Sequence, residues 1–341
     1  MADFHGISSL PELKGTRLNK IVEVVEKENN EVETIGNTFL PIKPVYSNTF
    51  AYDVIKNKQH IASYIGFGAE PPVMDRNAVA SRSGELAKLG LKYIVTEQEL
   101  LDIHQARQDA QRQATVNQLL AKGIDLVNAV YLQIEVSRLR ALFTGAFSYD
   151  NNQVKINVDY GVTDVDTLAG TDVWTDAAST PLSDLIEWND AYVARNGKKA
   201  DAIFMTRKVR ASLQTNAEVI GEARGTSDAT RITVDEVDDV LASYDLPPIR
   251  VVEQTSVAVH DIYSGDEQTI EYFPEGRVVF ASTGVGEYQL GITVENNFNP
   301  GVVLSAYDKT EPIQSVMRSV AAGFPVIENP DLLLYRDVAT P

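Results

Sequence analysis

The chain has 341 residues, 44% apolar and 23% charged, enough to bury a sizeable core and to form two lobes or one domain with large projections. A formal net charge of −18 argues against the basic face that sequence-independent nucleic-acid binding needs. It also makes free copies repel one another, so self-assembly must rest on apolar or paired contacts. The absence of cysteine excludes disulfides, a thiol nucleophile and zinc–cysteine sites. The start lacks a basic stretch followed by an apolar run, and no stretch reaches eighteen apolar residues, so a soluble cytoplasmic protein with no membrane partner is expected.

In chain order, residues 1–16 carry no period and read as an arm. From Arg17 to Lys27, Leu18, Ile21, Val22 and Val25 share one face of a short amphipathic helix that needs something to dock on. Phe50, Tyr52 and Val54 then alternate with Thr49, Ala51 and Asp53, the period of a half-exposed strand. QHIASYIGF is a second β-rich run. KLGLKYIV alternates Leu89, Leu91, Tyr93 and Val95 against Lys88, Gly90 and Lys92. These arms enclose a polar tip marked by Glu70, Asp75, Arg76, Arg82 and Glu85. Together they predict a long β-loop, which is poorly stable unless it lies against something.

Thr96 to Gly145 follows, about fifty residues without proline and with Gly123 as the only internal glycine. Leu100, Ile103, Val116, Leu119, Leu120, Leu126, Val127, Val130, Tyr131, Ile134 and Leu142 recur at helical spacing. Thr96 is the expected N-cap, with Glu97 and Glu99 in the first turn, and Gly145 is the expected stop. Arg138 and Arg140 fall late, where a cation suits the helix dipole. Such a helix would be on the order of 70 Å long. Its middle, His104 to Thr115, has no large apolar residue and cannot be buried in a core of its own chain.

Past the helix, residues 146–162 predict a hairpin turning at Asp150–Asn152, and 163–180 read as a connector. Residues 181–281 read as a compact α/β lobe. Thr180–Pro181 starts one helix and Asn196–Gly197 stops it. Ala202–Met205 is a buried strand, followed by a helix from about Thr206. Residues 221–231 read as a loop, and Thr233 with Glu236 forms a capping box. Strands are expected at 249–252, 269–273 and 277–281. The tail is β-rich again, broken by turns at Asn299–Pro300 and Asn329–Pro330. Sheet-forming segments on both sides of the lobe suggest that it is inserted into a domain built from chain-distant pieces.

Chemistry is nearly absent from the pattern. The four histidines are scattered, and no nucleophile elbow or Walker-type loop occurs. The glycine pairs 66/68, 221/225 and 284/286 fit loops better than phosphate cradles. Asp164 with Asp166 lacks the spaced ligands of a calcium loop. Asp235, Glu236, Asp238 and Asp239 sit where a helix dipole accounts for them. Lys198, Lys199, Arg207, Lys208 and Arg210 form the one dense basic stretch, read as a solvated rim or an ion-pair surface between subunits.

The order of arm, long loop, long helix, α/β lobe and β-rich return resembles the major capsid proteins of tailed bacteriophages, with the Hong Kong 97-type fold. Locally the chain is most similar to the lambda-type head proteins, through residues 200–213 (ADAIFMTRKVRASL), 284–291 (GVGEYQLG) and 311–334. The resemblance covers nearly the whole chain. It implies an α+β fold with an N-terminal arm (1–46), an extended E-loop (47–95), a peripheral domain (96–180 and 282–341) with a spine helix at about 97–143, and an axial domain (181–281). It implies a non-enzymatic subunit without catalytic, metal or cofactor residues. Such subunits self-assemble into hexamers and pentamers of an icosahedral head, with portal, scaffolding and decoration proteins as partners. Double-stranded DNA would be enclosed rather than read, and heads would be built in the host bacterial cytoplasm. No long scaffolding segment precedes the arm, so a separate scaffolding protein is expected. Glu70, Asp75, Arg76, Arg82, Glu85, Lys88, Lys92, Arg107 and Arg112 are the candidate assembly contacts, and Lys56, Lys58 and Lys88 are expected not to cross-link. The competing readings are a tail or sheath component, an encapsulin-like cargo shell, and an enzyme with its site in the acidic lobe.

Overall fold

The computed structural model describes residues 6–55, 78–105, 109–151, 154–226, 229–260, 265–311 and 313–339. The chain divides into two compact units. The first gathers described residues from 1–51, 83–138 and 288–325, and the second those from 52–82, 139–287 and 326–341.

In the first unit, short turns at Ile7–Ser9 and Pro11–Leu13 lead into the arm helix Gly15–Glu31. Its three- and four-residue spacing buries Leu18, Val22 and Val25 in the same core as Ile7, Leu10 and Leu13, so the helix docks on its own unit. Helix Glu97–Gln105 opens on the expected cap: the Thr96 N–H and hydroxyl donate to the Glu99 carboxylate at 2.8 and 2.9 Å. The helix Asp109–Thr144 has 36 residues, about 54 Å. Residues 106–108 lie outside the described chain, so the single run expected from 97 to 143 is described as these two helices. Val116, Leu119, Leu126, Val127, Val130, Tyr131 and Ile134 line the buried face, while Arg112, Gln113 and Ala114 are exposed. Gly123 is buried against the sheet, where an added Cβ would stand 3.0 Å from Met317 Cε. A helix that must press closely on strands is one place where a helical glycine repays its roughly 1 kcal/mol disadvantage against alanine. Gly145 ends the helix as expected, at φ 67°, with its N–H on Ala141 C=O at 3.1 Å.

The helix packs on a sheet ordered Ile42–Pro44, Gly286–Leu290, Ile313–Ile327, Val303–Thr310, with Ala87–Val95 also paired to the central strand. Ala87–Val95 runs antiparallel to Ser315–Gly323, with Lys92 opposite Arg318. Leu89, Leu91, Tyr93 and Val95 face the helix, as their alternation predicts. Asn299–Pro300 departs from the expected turn: it pairs as a short strand with Ile292–Thr293.

The second unit holds a sheet ordered Val165–Thr167, Leu333–Asp337, Arg277–Ala281, Ala202–Thr206, Ile249–Val252. Two of its strands come from outside residues 181–281, so the α/β core recruits the chain's end. Ala202–Thr206 is wholly buried, and Trp174, Leu185, Tyr192, Leu213, Val237 and Leu334 help fill the surrounding core. Two local expectations fail. Residues 217–224 continue as a helix, Ala217–Arg224, and the stop is Gly225 at φ 69°, so Gly221 is helical rather than loop. Pro181 does start the helix Pro181–Asn196, but Thr180 makes no side-chain cap. The Glu218 carboxylate accepts from Leu182 N–H at 2.8 Å and Ser183 N–H at 3.2 Å instead. A cap supplied from 36 residues away leaves no local signature. The Thr233–Glu236 capping box and the Gly197 stop are present as expected.

Candidate assembly surfaces

Glu70, Asp75, Arg76 and Arg107 lie outside the described residues, as do Lys56 and Lys58. Arg82 is carried on the strand Ala78–Glu85, paired with Thr49–Ile55, and its side chain is not described. Glu85 is exposed at the end of that strand, and Arg112 is exposed on the long helix.

Lys88 and Lys92 are brought together. Four residues apart on one strand, they share the sheet face turned away from the long helix. Arg318, opposite Lys92, continues that face and lies 5.1 Å from the Tyr307 ring centroid. One carboxylate answers two of the three cations. Glu295 accepts from Lys88 Nζ at 2.6 Å and lies 3.7 Å from Arg318. The Lys88 hydrogen bond, then the Glu295 backbone N–H, holds its carboxyl below the usual range. Lys92 makes no ion pair among the described residues and is exposed. The face is a basic ridge with one internal counter-charge.

Glu295 sits in the turn between Thr293 and Pro300. The Thr293 hydroxyl accepts from Asn296 N–H at 3.3 Å, Phe298 N–H bonds Thr293 C=O at 2.9 Å, and the Asn296 and Asn299 side chains brace each other's backbone at 3.1 Å. The bracing holds Asn297 and Phe298 at φ 52° and 60°, a region aromatic residues avoid and which costs about 1–3 kcal/mol for such a residue. It leaves Val294 70% and Phe298 64% exposed. Two large apolar groups on a braced turn, beside a charged ridge, have the make-up of a contact surface. The sequence reading missed Glu295, Arg318, Val294 and Phe298. Only NNFNP hints at the turn, and nothing local reveals that Glu295 meets Lys88 from 207 positions away.

Behind these surfaces the arm is pinned. Arg138, 4% exposed, forms an ion pair with Glu135 and donates to Asn37 Oδ1 at 2.9 Å and Leu40 C=O at 3.3 Å. Gly36 N–H donates to Glu135 at 3.2 Å. Burial lowers the pKa of Arg138, with Glu135 opposing that shift. Arg138, placed late in the helix where a cation suits its dipole, thereby clamps the turn Ile35–Phe39. At the other end of the arm, Ile7 N–H donates to Ser315 Oγ at 3.1 Å. The Ser315 hydroxyl donates to Asp308 at 2.5 Å, and Ser8 donates to the same carboxylate.

In the second unit several of the charged groups singled out in the sequence are paired. Asp164 bridges Arg195 at 2.5 Å and Arg336 at 2.7 Å, leaving it poorly suited to a cation. Lys199 pairs with Asp245 at 2.5 Å, and Arg210 meets both carboxylate oxygens of Asp238 at 2.7 Å. Lys208 lies 3.5 Å from Glu275. These basic groups therefore have partners inside their own unit. No cluster of three or more metal-ligating side chains occurs among the described residues, and none of their helices is long and apolar enough to cross a membrane.

Comparison with curated proteins gives no significant match. A prophage capsid protein from Escherichia coli CFT073 shares the fold at 12% identity and a TM-score of 0.62, over 96% of this chain and 99% of that one. A phage-related protein from Bordetella bronchiseptica RB50 does so at 13% and 0.53, over 94% and 97%. The satellite phage P4 procapsid, determined with its size determination protein, aligns at 11% and 0.50, over 94% and 99%. Identities this low speak for the fold alone. The model of phage major capsid protein E matches residues 17–299, most of the chain. The chain belongs to that family: it is a structural protein of a bacteriophage capsid shell, located in the virion, with the α+β, Hong Kong 97-type capsid fold.

Proposed function

We propose that copies of this chain form hexamers and pentamers that close an icosahedral head around packaged double-stranded DNA. The observation that carries this reading is the family match over residues 17–299. In this reading residues 1–46 are an arm, 47–95 an E-loop reaching a neighbouring copy, about 97–143 the spine, and 181–281 the axial domain. Residues 96–180 and 282–341 make the peripheral domain. Glu85, Lys88, Lys92 and Arg112, with Glu70, Asp75, Arg76, Arg82 and Arg107, supply polar contacts between copies. The turn carrying Val294 and Phe298 supplies apolar area against the mutual repulsion of acidic subunits. DNA is held by enclosure, since negative walls do not adhere to phosphate. Portal, scaffolding and decoration proteins complete the head. The chain acts by geometry rather than by turnover.

Deleting residues 63–82 tests the loop assignment. The expected product is a folded chain that forms no capsomers in the electron microscope. Normal shells from it would overturn the reading, and tubes from the intact chain would favour a tail protein.

A further inference from the structure

Two hairpins of the second unit leave strand edges open. Among the described residues Ala146–Asn151 pairs only with Val154–Asp159, and Glu267–Glu271 only with Ser256–His260. Tyr160 N–H bonds Gly145 C=O at 3.0 Å, which fixes the alternation of the first ladder. The pairs 147/158 and 149/156 then bond across the hairpin, and the backbone groups of Ser148 and Asp150 point away from it. Tyr272 N–H on Thr255 C=O, also at 3.0 Å, fixes the second ladder in the same way and turns Glu267, Thr269 and Glu271 outward. Both edges border one open cleft of about 890 Å³, lined by the consecutive residues 148–150 and 266–271 together with Arg140. Consecutive residues line a cleft from an edge, because alternate side chains would line it from a face.

We propose that this cleft receives an extended segment of a second copy of the chain, hydrogen-bonded to both edges, so that two hairpins and the inserted strand become one five-stranded sheet. This rests on the shell reading above. Charge selects the strand. Glu267 and Glu271 rim the cleft, Asp150 is already met by Lys155 at 2.9 Å, and Arg140 is half-buried. An incoming segment with lysine or arginine along it fits, and an acidic one does not. A second copy is the natural donor, because open edges are sites that soluble chains otherwise cover or blunt, and a shell subunit is surrounded by copies of itself.

Two measurements on the full-length chain test this. Hydrogen exchange in assembled shells is compared with that in dissociated subunits. The amides of Ser148, Asp150, Glu267, Thr269 and Glu271 are expected to slow by about tenfold or more on assembly. In the second, a photoreactive benzoylphenylalanine replaces Thr269 in shells co-assembled from isotopically heavy and light copies. Mixed heavy–light cross-links to one basic, extended segment are expected. Cross-links confined to a single isotopic form, or made to another protein, overturn the inference, as do shells whose cleft amides exchange as freely as in subunits. An intact chain that forms no shell or ring overturns the assembly reading and this inference with it.

Discussion

Replacing Arg138 with alanine should free the arm without unfolding the subunit. The guanidinium is buried, pairs with Glu135 and donates to Asn37 Oδ1 and Leu40 C=O. Its removal leaves a carboxylate without its cation and two acceptors without donors. Breaking a fully buried pair costs about 3–5 kcal/mol. Glu135 retains 22% side-chain exposure, so water recovers part of that, and a cost of about 2–3 kcal/mol is expected. A chain with two compact units need not unfold in one step, so the assay is local. Native-state hydrogen exchange at Thr38 and Leu40, bonded to Thr34 and Gly36 carbonyls, should accelerate about thirtyfold or more. The double variant with Glu135→Gln should restore part of the protection, because no orphaned charge remains. Exchange within about twofold of the parent would show that Arg138 does not hold the arm, and would refute the reasoning.

The remaining predictions are independent of the clamp. Gly123→Val should destabilise the first unit by about 1–3 kcal/mol, because its Cβ meets Met317 and Leu304 at 3.0 and 3.2 Å; denaturation at unchanged midpoint would contradict the packing. The Glu236 carboxyl, held down to about 2 chiefly by Arg224 and then by Thr233, should titrate near that value by NMR. Because its folded pKa is depressed, its contribution is present above the ordinary carboxylate range and is lost as pH falls towards 2; a midpoint near 4.5 would refute it. Glu218→Ala should fray the start of the helix Pro181–Asn196 by about 1–2 kcal/mol, read as faster exchange at Leu182 and Ser183. Denatured shells should run as single chains on a gel, since Lys88 is held by Glu295; a covalent ladder that Lys88→Arg abolishes would show the lysine is used.

What the sequence disclosed follows from the range of each interaction. Period and punctuation are local. The arm helix, the strand Ala87–Val95, the Thr96 cap, the Gly145 stop and the Thr233–Glu236 box were therefore legible. Interactions reaching across the chain were not. Glu218 capping a helix 36 residues earlier, Leu333–Asp337 entering the α/β sheet and Glu295 meeting Lys88 each depend on the fold bringing distant pieces together. Arg138 stood out only as a cation near a helix end, whereas tertiary burial made it a clamp. Of the candidate contacts, Lys88 and Lys92 fall on one face because strand alternation is local. Arg318 joins them only through the register of Ala87–Val95 against Ser315–Gly323.

The central claim is that this chain builds a closed shell from copies of itself. Electron microscopy of the full chain, expressed with its neighbouring genes, tests it most directly. Closed icosahedral particles or rings of five and six subunits are predicted. Small monodisperse oligomers that persist at every concentration would contradict it.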